Sequence, residues 1–383
     1  MRCATRYAAP DTRHPLAACR RDRRRRIRYG DRMLTFLALV LSAPPGSSAS
    51  SETLVYDDPK PQFYGFELRA SQLDRRAKAY PELGFFLTKD GKPADVEIAS
   101  VDTRVPPRGK LVIWLMAPKR EFFEIVNGYG LHVIQPHYAR HWFGKICQED
   151  PVGETCRGDA RLEAATGEDH SDQMSLAKPD GMAERARQMV IHLARKNPQG
   201  GWGYFLDDQK QLRWEHVILS GASHGSTTAA RFAKHQRVSR VVCFAGPRDQ
   251  LQSWQSLESA TPANRIFGFS HVEDSGWKAD HYCRSWELMG LAEYGPIVDV
   301  DQAKPPYGNT RRLVTAFDVG VSERKKRESR AHSSVSPGSY AAAKDGDAYR
   351  HAAVWEYLFT HPVDEVGMPD DLDPDCEKDQ RKS

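Results

Sequence analysis

Residues 214–226 read Trp-Glu-His-Val-Ile-Leu-Ser-Gly-Ala-Ser-His-Gly-Ser. An apolar run at 217–220 has the composition of a buried strand, and 226–235, which opens with small residues, has the pattern of a helix. The junction between them is Gly221-Ala222-Ser223-His224-Gly225. A serine with glycine two residues to either side fits a sharp strand-to-helix turn. The serine then holds a strained backbone, and a side chain at Gly221 or Gly225 would strike the strand or helix crossing it. Such a turn lifts the Ser223 hydroxyl clear of the sheet, where a nucleophile can meet substrate.

Outward from this turn, short runs rich in Val, Ile and Phe alternate with longer amphipathic segments. Strands are expected at 111–116, 132–136, 217–220, 240–245, 265–269 and 313–317, with helices at 181–195 and 347–359. The first helix sets Met182, Ala186, Met189, Val190 and Leu193 on one face, which is ordinary core packing. This alternation predicts an α/β chain with a mostly parallel central sheet flanked by helices. Upstream, 85–88 and 96–100 flank the turn-prone Lys89-Asp90-Gly91-Lys92 and predict an antiparallel N-terminal hairpin. The polar stretches 148–180 and 319–347 read as long loops.

A serine hydroxyl needs an imidazole to take its proton and a carboxylate to orient that imidazole. In the strand–turn–helix context these partners follow in the order acid, then histidine, after later strands. The strand at 265–269 runs into a polar loop that offers Asp274 as the acid, with Glu273 as the near alternative and Asp249, after the preceding strand, as another. After the last strand stand His332, His351 and His361; the latter two fall in or beyond the terminal helix, so position selects His332, expected in a loop. Backbone N–H groups of His224 and of Ala117 or Lys119 are the candidates for an oxyanion hole. His224 and His271 lie near the expected site, with surface exposure their default expectation.

Taken together, the residues resemble the α/β-hydrolase superfamily over about 111–359. The run from Asn197-Pro198 through Gly201-Trp202, Trp214, the Gly-Ala-Ser-His-Gly-Ser turn, Arg240-Val241-Val242 and Gly246-Pro247-Arg248-Asp249 is similar to a group of exported bacterial serine hydrolases. The resemblance implies an α/β-hydrolase fold, a Ser223–Asp274–His332 triad and hydrolysis of a carboxylic ester or related acyl bond through an acyl-enzyme. The segment 116–119, Met-Ala-Pro-Lys, departs from the family's glycine-containing turn, and Pro118 has no N–H to donate. That departure keeps open a second expectation, a non-catalytic or weakly catalytic homologue binding a glycan, peptide or protein partner in the same cleft.

The N-terminal 49 residues hold 11 Arg against 3 Asp, so the formal net charge of +4 belongs to this leader and the remainder is slightly acidic. An Arg-rich run, an apolar run at 33–41 and the small residues Ser47-Ser48-Ala49 have the order of a secretory signal peptide. The apolar run is too short to remain as a membrane anchor after cleavage. The expected organisation is a leader over 1–49, a hairpin region over 50–105 belonging to the same domain, a hydrolase domain over 106–362 and a polar tail over 363–383. In a secreted or periplasmic protein Cys147 and Cys156 are expected to pair as a local disulfide, Cys243 to be a buried small hydrophobe, and Cys283 and Cys376 carry no assignment. No metal-ligand cluster or nucleotide-phosphate loop is present, so no cofactor or metal is expected. The expected partner is a small-molecule or polymeric acyl substrate rather than nucleic acid; the oligomeric state is open.

Overall fold

The computed structural model describes residues 53–117, 119–149, 151–249, 253–279, 281–372 and 376. The leader expected over 1–49 lies outside the described residues, as does Pro118. The chain enters through β1 (Phe63–Arg69) and α1 (Ala70–Leu73), then makes a small hairpin of β2 (Thr88–Lys89) and β3 (Lys92–Pro93) before β4 (Val96–Asp102). Strands and helices alternate from there: β5 (Leu111–Trp114), α2 (Arg120–Gly128), β6 (His132–Gln135), α3 (Cys156–Thr166), α4 (Met182–Lys196), β7 (Val217–Ala222), α5 (His224–His235) and β8 (Arg240–Phe244). The C-terminal third contributes β9 (Ile266–His271), α6 (Ser275–Lys278), α7 (His281–Leu288), β10 (Ile297–Asp299), β11 (Arg312–Thr315) and α8 (Arg324–Ser334). A second small hairpin, β12 (Lys344–Asp345) with β13 (Ala348–Tyr349), precedes α9 (Ala352–Thr360).

Nine strands form one sheet in the order β1-β4-β6-β5-β7-β8-β9-β11-β10. The pairs β1–β4 and β4–β6 are antiparallel, and every pair from β6 onward is parallel. This is an α/β-hydrolase fold: all six strands expected from the apolar runs are present, their ends shifted by one or two residues. The central strands are buried on both faces, which is why they read as continuous Val/Ile/Leu runs rather than alternating ones.

Three expectations need correction. The N-terminal hairpin exists, but it closes over β2 and β3 alone; β4 instead pairs with β1 and β6, so Val96 onward is a full member of the main sheet. Both long loops hold helices, α3 in 148–180 and α8 in 319–347. The terminal helix starts at Ala352 rather than at 347, because Ala348 and Tyr349 pair with Asp345 and Lys344.

Helix α4 buries the expected stripe together with Arg185. That charge is held by Glu97 on β4, which accepts from its Nε and Nη2 at 3.1 Å each, and by the Ala70 carbonyl at 3.0 Å. Beyond α9 the chain is fastened rather than loose: Arg311 Nη2 donates to the carbonyls of Val363 (2.8 Å) and Glu365 (3.1 Å), Arg312 pairs with Asp370 at 3.0 Å, and Cys376 is disulfide-bonded to Cys283. Cys147 and Cys156 form the expected bond, with Cα atoms 5.8 Å apart, and Cys243 is buried and free. No helix among the described residues is long and apolar enough to cross a membrane.

Candidate active site

Ser223 sits between the end of β7 and the first residue of α5 with φ 53° and ψ −120°, a left-handed backbone that a residue with a Cβ adopts only when its surroundings impose it. Those surroundings are explicit. Its N–H donates to the Phe244 carbonyl at 2.9 Å, and its own carbonyl accepts from Ser226 Oγ at 2.7 Å and Thr227 Oγ1 at 3.1 Å. A Cβ on Gly225 would run into the Leu115 carbonyl of the adjacent strand end, and one on Gly221 would meet the Gly225 backbone at 2.5 Å. Both glycines are therefore required by close approach of backbone to backbone.

Asp274 follows β9, is fully buried, and caps α6 by accepting from the Gly276 N–H at 2.8 Å through Oδ1. Its other oxygen, Oδ2, lies 2.7 Å from His332 Nδ1. His332 is on the last turn of α8, not in a loop as expected, and its side chain keeps 29% exposure. The helix escaped notice because it has no apolar stripe: only Ala331 and Ser334 are buried, and it is supported by ion pairs such as Arg324–Glu328 (2.8 Å). The Arg324–Arg327 basic run, expected in a loop, is its first turn. With Nδ1–H directed at Asp274, the free nitrogen of His332 is Nε2, the one able to accept a proton.

The alternative acids are engaged elsewhere. Glu273 pairs with Lys278 Nζ at 2.6 Å and Arg327 Nε at 3.3 Å, and the hydrogen bond from Lys278 holds its carboxyl below the usual range. Asp249 is buried and bonded to the Arg161 guanidinium. His351 reaches Thr315 Oγ1 (3.2 Å) and His361 the Glu365 carbonyl (3.1 Å), so neither joins Asp274. His271, expected at the surface, is fully buried: its Nδ1 accepts from the Glu273 N–H (3.0 Å), leaving Nε2–H to donate to the Phe317 carbonyl (3.0 Å).

His224 opens α5, so its N–H has no acceptor within the helix and faces the same side as the positive end of the helix dipole. Its ring packs edge-on against Trp142 and Phe143, with centroids 5.1 and 5.7 Å away. Arg161 Nη1 lies 3.1 Å from His224 Nδ1 and 3.1 Å from its carbonyl. Because a guanidinium only donates, Nδ1 is the acceptor and the imidazole is neutral; burial, with Arg161 adding to it, pushes its pKa well down. Ala117 is exposed, and its carbonyl accepts from Trp114 Nε1 at 3.0 Å.

Arg161, Tyr282 and Trp142 are site neighbours that the sequence reading missed. Arg161 had a signal, since Arg161-Leu162-Glu163-Ala164-Ala165 is a run of strong helix formers inside the supposed loop. Tyr282 had none.

No protein-family model and no curated protein matches the chain. Among solved structures it is similar to esterase B from Lactobacillus rhamnosis inhibited by a tributyrin phosphonate, at 12% identity over 62% of this chain and 71% of that one, TM-score 0.29. It is also similar to an acetyl ester-xyloside bifunctional hydrolase from Caldicellulosiruptor lactoaceticus (10% identity, 67% and 87% coverage, TM-score 0.31). A third is a lidless α/β serine hydrolase from Xanthomonas campestris (13% identity, 48% and 69%, TM-score 0.25). The fold itself rests on the strand order and register given above.

Proposed function

We propose that the chain is an exported serine hydrolase that cleaves a carboxylic ester or related acyl bond of a small-molecule or polymeric substrate through an acyl-enzyme. The observation that carries this reading is the 2.7 Å pairing of His332 Nδ1 with the buried Asp274 carboxylate, after strands on the same side of the strained Ser223 turn in a parallel sheet. In the proposed cycle His332 Nε2 takes the Ser223 proton as Oγ attacks the carbonyl carbon. The N–H groups of His224 and Ala117 receive the oxyanion, and His332 returns the proton to the departing alcohol. Water, activated by the same imidazole, then releases the acid. Asp274 stays charged throughout and fixes the tautomer of His332. Two disulfides fit an oxidising compartment, which supports export alongside the signal-like leader.

A fluorophosphonate probe tests this, because only an activated serine reacts rapidly with it. Labelling of the parent protein that disappears in Ser223→Ala is the expected result; no labelling of folded parent protein would favour the binding homologue instead.

A further inference from the structure

Asp274 accepts a third hydrogen bond, and it comes from a residue given no role so far. Tyr282, on α7, is fully buried; its hydroxyl lies 3.0 Å from Asp274 Oδ2, the oxygen that also faces His332, and 3.3 Å from His332 Nδ1. The fit around this hydroxyl is close: a Cβ on Gly276, whose N–H binds the other carboxylate oxygen, would run into the Tyr282 ring. Cys283, the next residue, ties α7 to Cys376. Burial and the neighbouring Asp274 push the phenol far above its ordinary range, so it keeps its proton and donates it.

We propose that Tyr282 is a positioning residue for the Asp274–His332 pair: its O–H fixes Oδ2 in line with His332 Nδ1 and draws charge from that oxygen, setting the basicity of the imidazole. The proposal rests on the hydrolase reading for its kinetic consequence but not for its geometry. A carboxylate with one donor fewer offers more of its charge to the imidazolium, so losing the hydroxyl stabilises protonated His332 and raises its pKa. The other charged or titratable groups that act on Asp274 or Tyr282 are His271 at the end of β9, His281 on α7 and Arg248 after β8, while Glu273, the residue before Asp274, is taken up by Lys278 and Arg327. None of them changes when one phenolic oxygen is removed.

The test has one arm that needs activity and one that does not. In Tyr282→Phe the acid limb of kcat/KM on the best ester found should move up by about half to one pH unit, with KM within about twofold of the parent. In the Ser223→Ala background, NMR titration of His332 with and without Tyr282→Phe should show the same upward movement. Ser285→Ala, which removes a different hydroxyl of α7 bonded to the Arg248 carbonyl at 2.6 Å, controls for loosening of the helix and should leave both readouts in place. A His332 titration that is unmoved or falls in Tyr282→Phe overturns the proposal, as does an equal shift in Ser285→Ala. Should Ser223→Ala keep parent activity, the hydrolase reading fails while the NMR arm still decides the role of Tyr282.

Discussion

Arg161 and Asp249 form a buried pair, 1% and 5% exposed, in which one guanidinium holds both carboxylate oxygens and, through Nη1, also the carbonyl and ring of His224. The residue that follows the proposed nucleophile is thus anchored to α3, a helix far from it in sequence. Asp249→Asn leaves the guanidinium buried without a counter-charge, and a buried pair broken on one side costs about 3–5 kcal/mol. Thermal or urea unfolding should show a loss of that size. Glu273→Gln, at a half-exposed ion pair, should cost no more than about 1 kcal/mol. If Asp249 were the acid partner of the histidine, Asp249→Asn would abolish activity without this instability.

Ser223, Asp274 and His332, acting on one proton transfer, should show losses that do not add. Alanine at Ser223 or His332 should each lower kcat by about three or more powers of ten with folding intact, and the double variant should be little worse than either. Asp274→Asn should fall comparably or somewhat less, because an amide in its place favours the wrong tautomer of His332. Additive losses in the Ser223/His332 double variant would show that the two do not share a step.

His132 makes stability depend on pH. It is fully buried against Trp202 and Phe205, its Nε2 bonds the Gly200 carbonyl, and burial pushes its pKa down to about 4. The unfolded chain therefore takes up a proton below about 6.5 that the folded chain refuses, so this stabilisation is present above that pH and fades as the pH falls toward 4. The loss is about 1.4 kcal/mol per pH unit for this one group. His137, His281 and His351, also pushed down to about 4 by burial, act in the same direction. Urea unfolding between pH 6.5 and 4.5 should have a slope smaller by about one proton in His132→Phe than in the parent; equal slopes would contradict the assignment.

The two disulfides should differ in reach. Cys147–Cys156 closes a short loop at the start of α3, whereas Cys283–Cys376 spans 93 residues and fastens the C-terminal segment to α7. Loss of either by Cys→Ser should lower stability by about 2–4 kcal/mol, more for the longer loop. A non-reducing peptide map of protein expressed under oxidising conditions should recover both linked pairs, and free thiol at Cys147 or Cys283 would count against them.

Reading along the chain was enough for the features that local rules govern. The parallel strands are legible because burial on both faces forces unbroken apolar runs, and the Ser223 turn because the backbone of Gly225, four residues on, demands a glycine at 221; the demand for Gly225 itself comes from Leu115 on the neighbouring strand end. Chain order relative to those strands singles out His332 among the later histidines but leaves Glu273 and Asp249 open beside Asp274; the pairing of Asp274 with His332 is a contact of the tertiary structure. What chain order could not supply was anything made by contact across the fold. Helix α8 is polar and has no stripe to betray it; β4 pairs with a strand more than twenty residues upstream instead of with its hairpin neighbour; and Arg161 meets Asp249, as Tyr282 meets Asp274, only because segments distant in sequence are packed side by side. A buried charge or hydroxyl is identified by the partner that satisfies it, and that partner is chosen by tertiary packing, not by its place in the sequence.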